Sequence, residues 1–362
     1  MPRLSTKLRY LLLPLALFYW GTIFWRNLFY SIGFFVTRRL PVPVISVGNL
    51  SVGGTGKTSM VIYLAEKLQL QGVAPVIVSR GYRRKTSGTG LVSDGKKVML
   101  SWQEAGDEPY FMANVLSGVP IVVDEVRYRG AVFAIERFNP DVIVLDDAFQ
   151  HRSLDRDIDI VLLNSNDPLE TYKLLPYGKL REPWNHLRRA DLIFWTKANL
   201  KPPHPTLHSK VLQTKVPTFA CRVEPDPFLR SANGQTVPLD ALKGKKTVAF
   251  CGIGDPDSFR HLLQRAGAQI VHFKAFADHH VYTRRDLENL TDTGEKEGVD
   301  LLVTTEKDIF KVVKWVARDV RLYALQISFV PSPEGEKALL THIEQELRLQ
   351  GRGRGGATGP KP

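Results

Sequence analysis

The sequence predicts an α/β protein of two unequal units, and three features carry that expectation. Short β-branched runs alternate with longer amphipathic stretches, the pattern of a parallel sheet covered by helices. A glycine-rich loop sits at one strand-to-helix boundary, and the alternation breaks near residue 216 before resuming. The length of 362 residues suits two domains better than one, since domains run about 100–200 residues. Apolar residues at 43% and charged residues at 24% exclude a mostly disordered or collagenous chain. Cys221 and Cys251, the only cysteines, lack metal-ligand spacing, so neither a disulfide framework nor a cysteine zinc site is expected. The expected division is an N-terminal segment over 1–40, a first unit over 41–215, a connector over 216–240, a second unit over 241–349 and a disordered tail over 350–362.

Lys and Arg (49) outnumber Asp and Glu (37), a formal charge of +12, and the excess sits at the chain's two ends. Residues 1–40 hold Arg3, Lys7, Arg9, Arg26, Arg38 and Arg39 with no acid, and residues 350–362 hold Arg352, Arg354 and Lys361 with no acid. The body between them is left near +3, so no nucleic-acid partner is expected. Tyr10–Trp25 is sixteen residues without a charge. A spanning helix needs about 20 apolar residues, and Pro14 and Gly21 weaken the run further. Phe29, Tyr30, Phe34 and Phe35 follow, up to Arg38-Arg39; aromatics mixed with cations suit the lipid headgroup layer. A signal peptide would need a small-residue cleavage site that is not seen. An ordinary core helix stands as the alternative to the favoured reading, a monotopic anchor on the cytoplasmic leaflet.

In the body, strands are expected at Val44–Val47, Pro75–Ser79, Ile121–Val123, Asp141–Leu145, Asp159–Leu163 and Leu192–Trp195. Thr58–Leu70 places Val61, Leu64, Ala65 and Leu68 on one helical face, and Glu125–Phe138 reads the same way. Gly90–Leu100, centred on Asp94-Gly95, looks like an inserted β-hairpin. Val216–Leu239, interrupted by Pro225, Asp226, Pro227 and Asn233-Gly234, is expected to form a two-strand connector. Strands at Thr247–Cys251, Ile270–Phe273, Leu301–Thr304 and Val320–Ala324 then alternate with helices from Pro256, Thr283 and Glu306, ending in a helix over Glu334–Leu347.

Ser51–Thr58 read SVGGTGKT, the P-loop pattern G-x-x-x-x-G-K-[ST] with Ser51 at the first glycine position. A β-branched strand precedes it and a helical period follows. Side chains at Gly53, Gly54 and Gly56 would obstruct backbone amides turning inward around phosphate oxygens. Val52 and Thr55 complete that cradle, Lys57 is placed to reach the β- and γ-phosphates, and the Thr58 hydroxyl to ligate Mg²⁺. This is a P-loop NTPase-like α/β/α core that binds a nucleoside triphosphate. Asp141–Asp147 (DVIVLDD) is an apolar strand ending in Asp146 and Asp147, where a Walker B carboxylate would meet the cation.

Seven collinear motifs are more specific: VGNLSVGGTGKT, SRGYRRK (Ser79–Lys85), GDEP (Gly106–Pro109), LDDAFQHR (Leu145–Arg152), LLPYGKLREP (Leu174–Pro183), ADHH (Ala277–His280) and TTEKD (Thr304–Asp308). Over about residues 10–345 the chain resembles the tetraacyldisaccharide 4′-kinases, the lipid A 4′-kinases of Gram-negative bacteria. The resemblance implies transfer of the ATP γ-phosphate to the 4′-hydroxyl of a tetraacylated glucosamine disaccharide 1-phosphate, giving a lipid IVA-type product. It also implies two α/β/α lobes joined by a β-ribbon, and a monotopic protein of the inner membrane's cytoplasmic face, expected as a monomer. By the same resemblance Asp107 is the catalytic aspartate and His279 its partner, with His280 the less favoured alternative. Gln150, His151, Arg181 and Glu182 match positions near the nucleotide.

Each of these residues has a plainer reading. Asp107, two before Pro109, could cap a helix. Arg181-Glu182 could be a surface pair. Asn49, Glu108 and the basic loop with Arg80, Arg83, Arg84 and Lys85 are candidate substrate contacts, the loop being suited to a 1-phosphate or to lipid headgroups, or merely solvated. Thr305–Asp308 has capping-box spacing and is read as structural; Thr196-Lys197-Ala198-Asn199 faintly resembles a base-recognition loop. Two other functional classes compete: a membrane-associated P-loop switch or transport ATPase, and a nucleic-acid-binding protein built on the RGRGG tail.

Overall fold

The computed structural model describes residues 12–315 and 321–354. The cations Arg3, Lys7 and Arg9 and residues 355–362 of the expected tail lie outside them; residues 351–354 continue the last helix. Helix α1 (Leu13–Ser31) comes first, followed by β1 (Val44–Asn49), α2 (Lys57–Leu70), β2 (Pro75–Ser79), β3 (Gly90–Asp94), α3 (Trp102–Ala105), α4 (Asp107–Val115), β4 (Pro120–Val123), α5 (Arg127–Phe138), β5 (Val142–Asp146), β6 (Ile158–Asn164), β7 (Leu192–Thr196) and α6 (Pro205–Leu212). The second half contains β8 (Thr218–Ser231), β9 (Thr236–Pro238), β10 (Lys246–Cys251), α7 (Pro256–Arg265), β11 (Gln269–Ala275), α8 (Arg284–Lys296), β12 (Leu301–Thr305), α9 (Glu306–Val312), β13 (Leu322–Pro331) and α10 (Pro333–Arg354).

Strands β1, β2, β5, β6 and β7 are buried along their whole length, which is why they read as continuous apolar runs rather than as alternation. They pair in the order β7-β6-β1-β5-β2-β4, all parallel, with β3 antiparallel at the edge. Met60, Val61, Leu64 and Leu68 of α2 cover one face with Met112 of α4; Ala131 and Ala134 of α5 cover the other. In the second unit β11-β10-β12-β13 are parallel, with α7 on one face and α8 and α9 on the other.

Three features differ from the sequence-based expectation. The 90–100 hairpin is reduced to one bridge, Ser93 with Val98, because β3 takes β4 as its partner instead. The connector does hold a short antiparallel hairpin, β8 with β9 around Asn233-Gly234, but its main pairing lies outside 216–240. Strand β8 pairs with β7 through Thr218–Ala220 and then with the late strand β13 through Cys221–Ser231, while β9 adds only three residues. One continuous sheet therefore runs through both units; Val320 of the expected strand lies outside the described residues, and β13 continues well past Ala324. The helix assigned to the second unit, Glu334–Leu347, returns to the first. Leu339 and Ile343 of α10 are buried in the first unit's core, and Lys67 of α2 pairs with Glu336 at 2.7 Å. Gly335 permits the close approach, since a Cβ there would meet Phe219 Cβ at 2.8 Å.

Helix α1 buries Ala16, Ile23 and Asn27 and leaves Leu17, Phe18, Trp20, Phe24 and Trp25 exposed, continued by Ile32, Phe34 and Val36. Among the described residues no helix is long and apolar enough to cross a membrane. The inner face is fastened by polar contacts. Arg26 pairs with the fully buried Glu182, Tyr19 donates to the Arg181 carbonyl at 2.9 Å, and Arg152 donates to the Asn27 carbonyl at 3.0 Å.

Because α10 completes the first unit's core, Leu339→Ala is expected to cost about 2–5 kcal/mol, as large-to-small core changes do. Urea denaturation checks this, and an unchanged midpoint would show that α10 is a dispensable appendage.

Candidate active site

The residues after β1 turn into α2 through backbone geometry that only glycine adopts easily: φ is +123° at Gly53 and +84° at Gly56. Two side chains brace the turn from below. Asn49 Nδ2 donates to Thr55 Oγ1 at 3.0 Å, and Thr196 Oγ1 donates to the Thr55 carbonyl at 3.0 Å. Val52 N donates to the Lys179 carbonyl at 2.8 Å, and Ser51 bridges Leu180, so the 174–183 loop forms the cradle's flank. Val52, Gly53, Gly54, Thr55, Gly56, Lys57 and Thr58 line a cleft of about 1070 Å³, large enough for a nucleotide together with part of an acceptor. Ser51 and Asn49 lie beneath it, both fully buried.

The β5 acids divide into unlike partners. Asp146 is buried and accepts from Ser79 Oγ at 2.9 Å; burial, with Asp147 and Glu108 nearby, pushes its carboxyl up to about 6. Asp147, at φ +50°, is approached by Lys57 Nζ at 3.6 Å and by Arg181 at 2.9 Å. Burial opposes its ionisation, but the Lys57 and Arg181 charges hold it at about 2. Excess negative charge at Asp146 is what a divalent cation would relieve. Among the described residues no three acidic, histidine or cysteine side chains form a metal-binding cluster. Gln150 Nε2 donates to the Asn49 carbonyl at 2.8 Å and its Oε1 accepts from Arg181 at 3.3 Å. His151 hydrogen-bonds Ser153 at 3.0 Å, and burial, reinforced by Arg127 and Arg156, lowers its imidazole to about 4.

Opposite the cradle, Asp107 and Glu108 open α4, and both carboxylates meet groups from the second unit. His279 Nδ1 lies 3.0 Å from Asp107 Oδ2, Lys311 Nζ donates to the same oxygen at 2.5 Å, and Lys307 Nζ donates to Glu108 at 2.6 Å. Burial would raise the Asp107 carboxyl, but the His279 hydrogen bond and the Lys311 charge bring it to about 2. Such a lowered carboxyl contributes stability above its unfolded value of about 4, and that contribution is lost as pH falls toward the folded value. An ionised carboxylate only accepts, so His279 Nδ1 carries the proton. His279 itself sits at φ +62° beside Tyr82, with ring centroids 5.5 Å apart. Four of the six non-glycine residues with positive φ among those described, Arg83, Asp147, Lys197 and His279, line this cleft, where backbone strain commonly collects.

Arg80, Arg83, Glu108, Asp146, Asp147, Gln150, His151, Arg181 and His279 also line the cleft, and Asp107 lies just behind Glu108 with 9% exposure. Glu182 does not line it. Its carboxylate turns away to Arg26, Arg189 and, at 3.1 Å, His186 Nδ1; burial opposes its ionisation, but these partners hold it below the usual range. His280 also turns away, toward Asp286 at 3.2 Å, stacked on Phe276. Asn199 is spent on the backbone of Val223 in β8, with Nδ2 to its carbonyl and Oδ1 from its N–H, while Lys197 pairs with Asp255 across the cleft. The Thr305 cap is present, its Oγ1 accepting from Asp308 N at 3.2 Å, yet the same short helix supplies Lys307 and Lys311. Sequence reasoning missed both lysines, as well as Ser79 and Arg127. The usable signal was their i, i+4 spacing after the cap, which sets both on one face.

A family profile described as Tetraacyldisaccharide-1-P 4′-kinase matches residues 8–347. The chain is 43% identical over 305 residues to the tetraacyldisaccharide 4′-kinase of Aquifex aeolicus, covering 84% of this chain and 90% of that protein. It is 36% identical over 332 residues to the enzyme of that name from Desulfotalea psychrophila, covering 90% and 94%. A crystal structure described as the "apo" form of LpxK from Aquifex aeolicus in complex with ATP superposes with a TM-score of 0.77 at 40% identity, covering 94% of this chain and 99% of that one. The strand order, the cradle and the facing pair of Asp107 and His279 thus lie within a match that spans nearly the whole sequence, and the chain belongs to the tetraacyldisaccharide-1-P 4′-kinase family.

Proposed function

We propose that this protein transfers the γ-phosphate of ATP to the 4′-hydroxyl of a tetraacylated glucosamine disaccharide 1-phosphate, working as a monotopic monomer on the cytoplasmic face of the inner membrane. The observation that carries the reading is that one cleft is faced by the P-loop and Asp147 from one side and by the His279 and Lys307 side chains of the second unit from the other. A phosphate donor and an alcohol acceptor need that opposition for in-line attack.

The amides around Gly53, Gly54 and Gly56 bind the phosphate chain, and Lys57 and Arg181 set positive charge against the oxygens of the transferred group. Thr58, with Asp146 and Asp147, would hold Mg²⁺, which when bound neutralises charge on the β- and γ-phosphates. Asp107 orients the acceptor hydroxyl. With its carboxyl near 2, it takes the proton late, as a loose phosphoryl-transfer transition state permits. His279, bonded to the same carboxylate, fixes its orientation and closes the cleft. Arg80 and Arg83 at the cleft rim suit the acceptor's anionic phosphate. The outward aromatic face of α1 would rest among lipid headgroups and bring the cleft to the acceptor.

The direct test is transfer of labelled γ-phosphate to a monophosphorylated disaccharide lipid, with chelation abolishing it and Mg²⁺ restoring it. ATP turnover that is indifferent to added lipid would instead favour a switch or transport ATPase. Asp107→Asn is expected to lower kcat by about 10²–10⁴ with ATP affinity retained; lost ATP affinity would move Asp107 into the nucleotide site. A triple change of Phe18, Trp25 and Phe34 to Ser is expected to release the protein from anionic vesicles in a flotation assay while sparing activity on detergent-dispersed acceptor. Undiminished flotation would mean that the helix does not hold the lipid surface.

A further inference from the structure

We propose that Lys311 is a positioning residue for the acceptor-activating carboxylate: from the second unit it grips Asp107 through Oδ2 and leaves Oδ1 presented to the acceptor hydroxyl. The proposal rests on the reading of Asp107 given above. Both protein donors to Asp107, His279 Nδ1 at 3.0 Å and Lys311 Nζ at 2.5 Å, converge on the one oxygen Oδ2. Among the described residues Oδ1 has no hydrogen-bond donor, so it is the oxygen left for substrate.

Lys311 is no solvated charge. Its side chain is 3% exposed on α9, and a buried ammonium needs a carboxylate in contact. A closer partner in sequence exists on its own helix: Asp308, three residues back and fully buried, with Oδ1 at 3.6 Å. Were Lys311 there only to neutralise its own helix, that carboxylate would receive its hydrogen bond. Asp308 instead spends Oδ2 on Gly252 N at 2.8 Å and Thr305 Oγ1 at 2.7 Å, and its Oδ1 has no hydrogen-bond partner. The lysine bond reaches across to the first unit. The remainder of the same helix face supports the reach, because Lys307 bonds Glu108 and Phe310 packs edge-on to Tyr110, with centroids 6.3 Å apart.

The groups facing Asp107 are His279, Lys311 and Lys307 from the second unit and Glu108 from its own helix. Asp308 lies beside Lys311, and Asp278 lies 3.9 Å from His279. With Lys311 gone, burial acts on the Asp107 carboxyl with one cation fewer to oppose it. Its protonation then moves to higher pH, and with it the acid limb of the rate profile.

The experiment uses the full chain with detergent-dispersed acceptor, measuring kcat and KM across roughly pH 4–9. Lys311→Met is expected to lower kcat by about tenfold, leave ATP affinity unchanged and shift the acid limb upward, with Lys311→Arg restoring most of both. In an Asp107→Asn background the same Lys311→Met change should cost less than about twofold, because its target is gone. A folded Lys311→Met enzyme with normal kcat and an unmoved acid limb overturns the proposal, as does an equal loss in both backgrounds, which would assign Lys311 to packing. Should the Met variant not fold, Lys311→Gln is read by the same acid limb. Full activity in Asp107→Asn alone would sink the reading of Asp107 itself, a result distinct from any Lys311 outcome.

Discussion

Of two adjacent carboxylates at the start of one helix, Asp107 is buried and Glu108 half-buried, and a carboxylate taken out of water persists as an anion only with its counter-charge in contact. The counter-charges, Lys311 and Lys307, belong to a helix about 200 residues later in the chain. Assembling the acceptor side of the cleft and bringing the two units together are therefore one event. Separation would leave both anions without their lysines, while their local helix N-terminus offers only partial compensation. The nucleotide side is built differently, since the cradle, Lys57, Asp147 and Arg181 all come from the first unit, and Lys57 and Arg181 find their carboxylate there, in Asp147.

That difference explains what could be read from the sequence. The P-loop and β5 acids are local: a strand, a turn and a helix start specify them, and the strand at Pro75–Ser79 is found at its expected bounds. The acceptor side depends on contacts between residues separated by more than 170 positions, which no periodicity encodes. Asp107 and His279 were nameable only through the collinear motifs. Lys311 lay outside every one of them, and Lys307 lay inside a motif read as a cap. Glu182 is the opposite case, where a motif match pointed toward the nucleotide and the side chain goes to α1.

Long-range strand pairing hid the architecture in the same way. A connector with two turn signals, Pro225–Pro227 and Asn233-Gly234, reads as a two-strand unit and does turn at Asn233-Gly234 from β8 into β9, but β8 finds its main partner about a hundred residues on, in β13. The chain thereby crosses between the units twice, out along β8 and back along β13 into α10. The tie of Asn199 to the Val223 backbone sits where β8 leaves the first unit.

Glu182 has a practical corollary. Its carboxylate has no access to solvent and shares Arg26 with a helix whose other face is oily, while the neighbouring Arg181 backbone takes a hydrogen bond from Tyr19 on the same helix. Trimming that greasy helix to obtain a better-behaved preparation would strip a cation from a sealed anion next door to the guanidinium that touches Asp147. Detergent or polar replacements on the outer surface are the gentler route to a tractable sample, since they leave the inward staples in place.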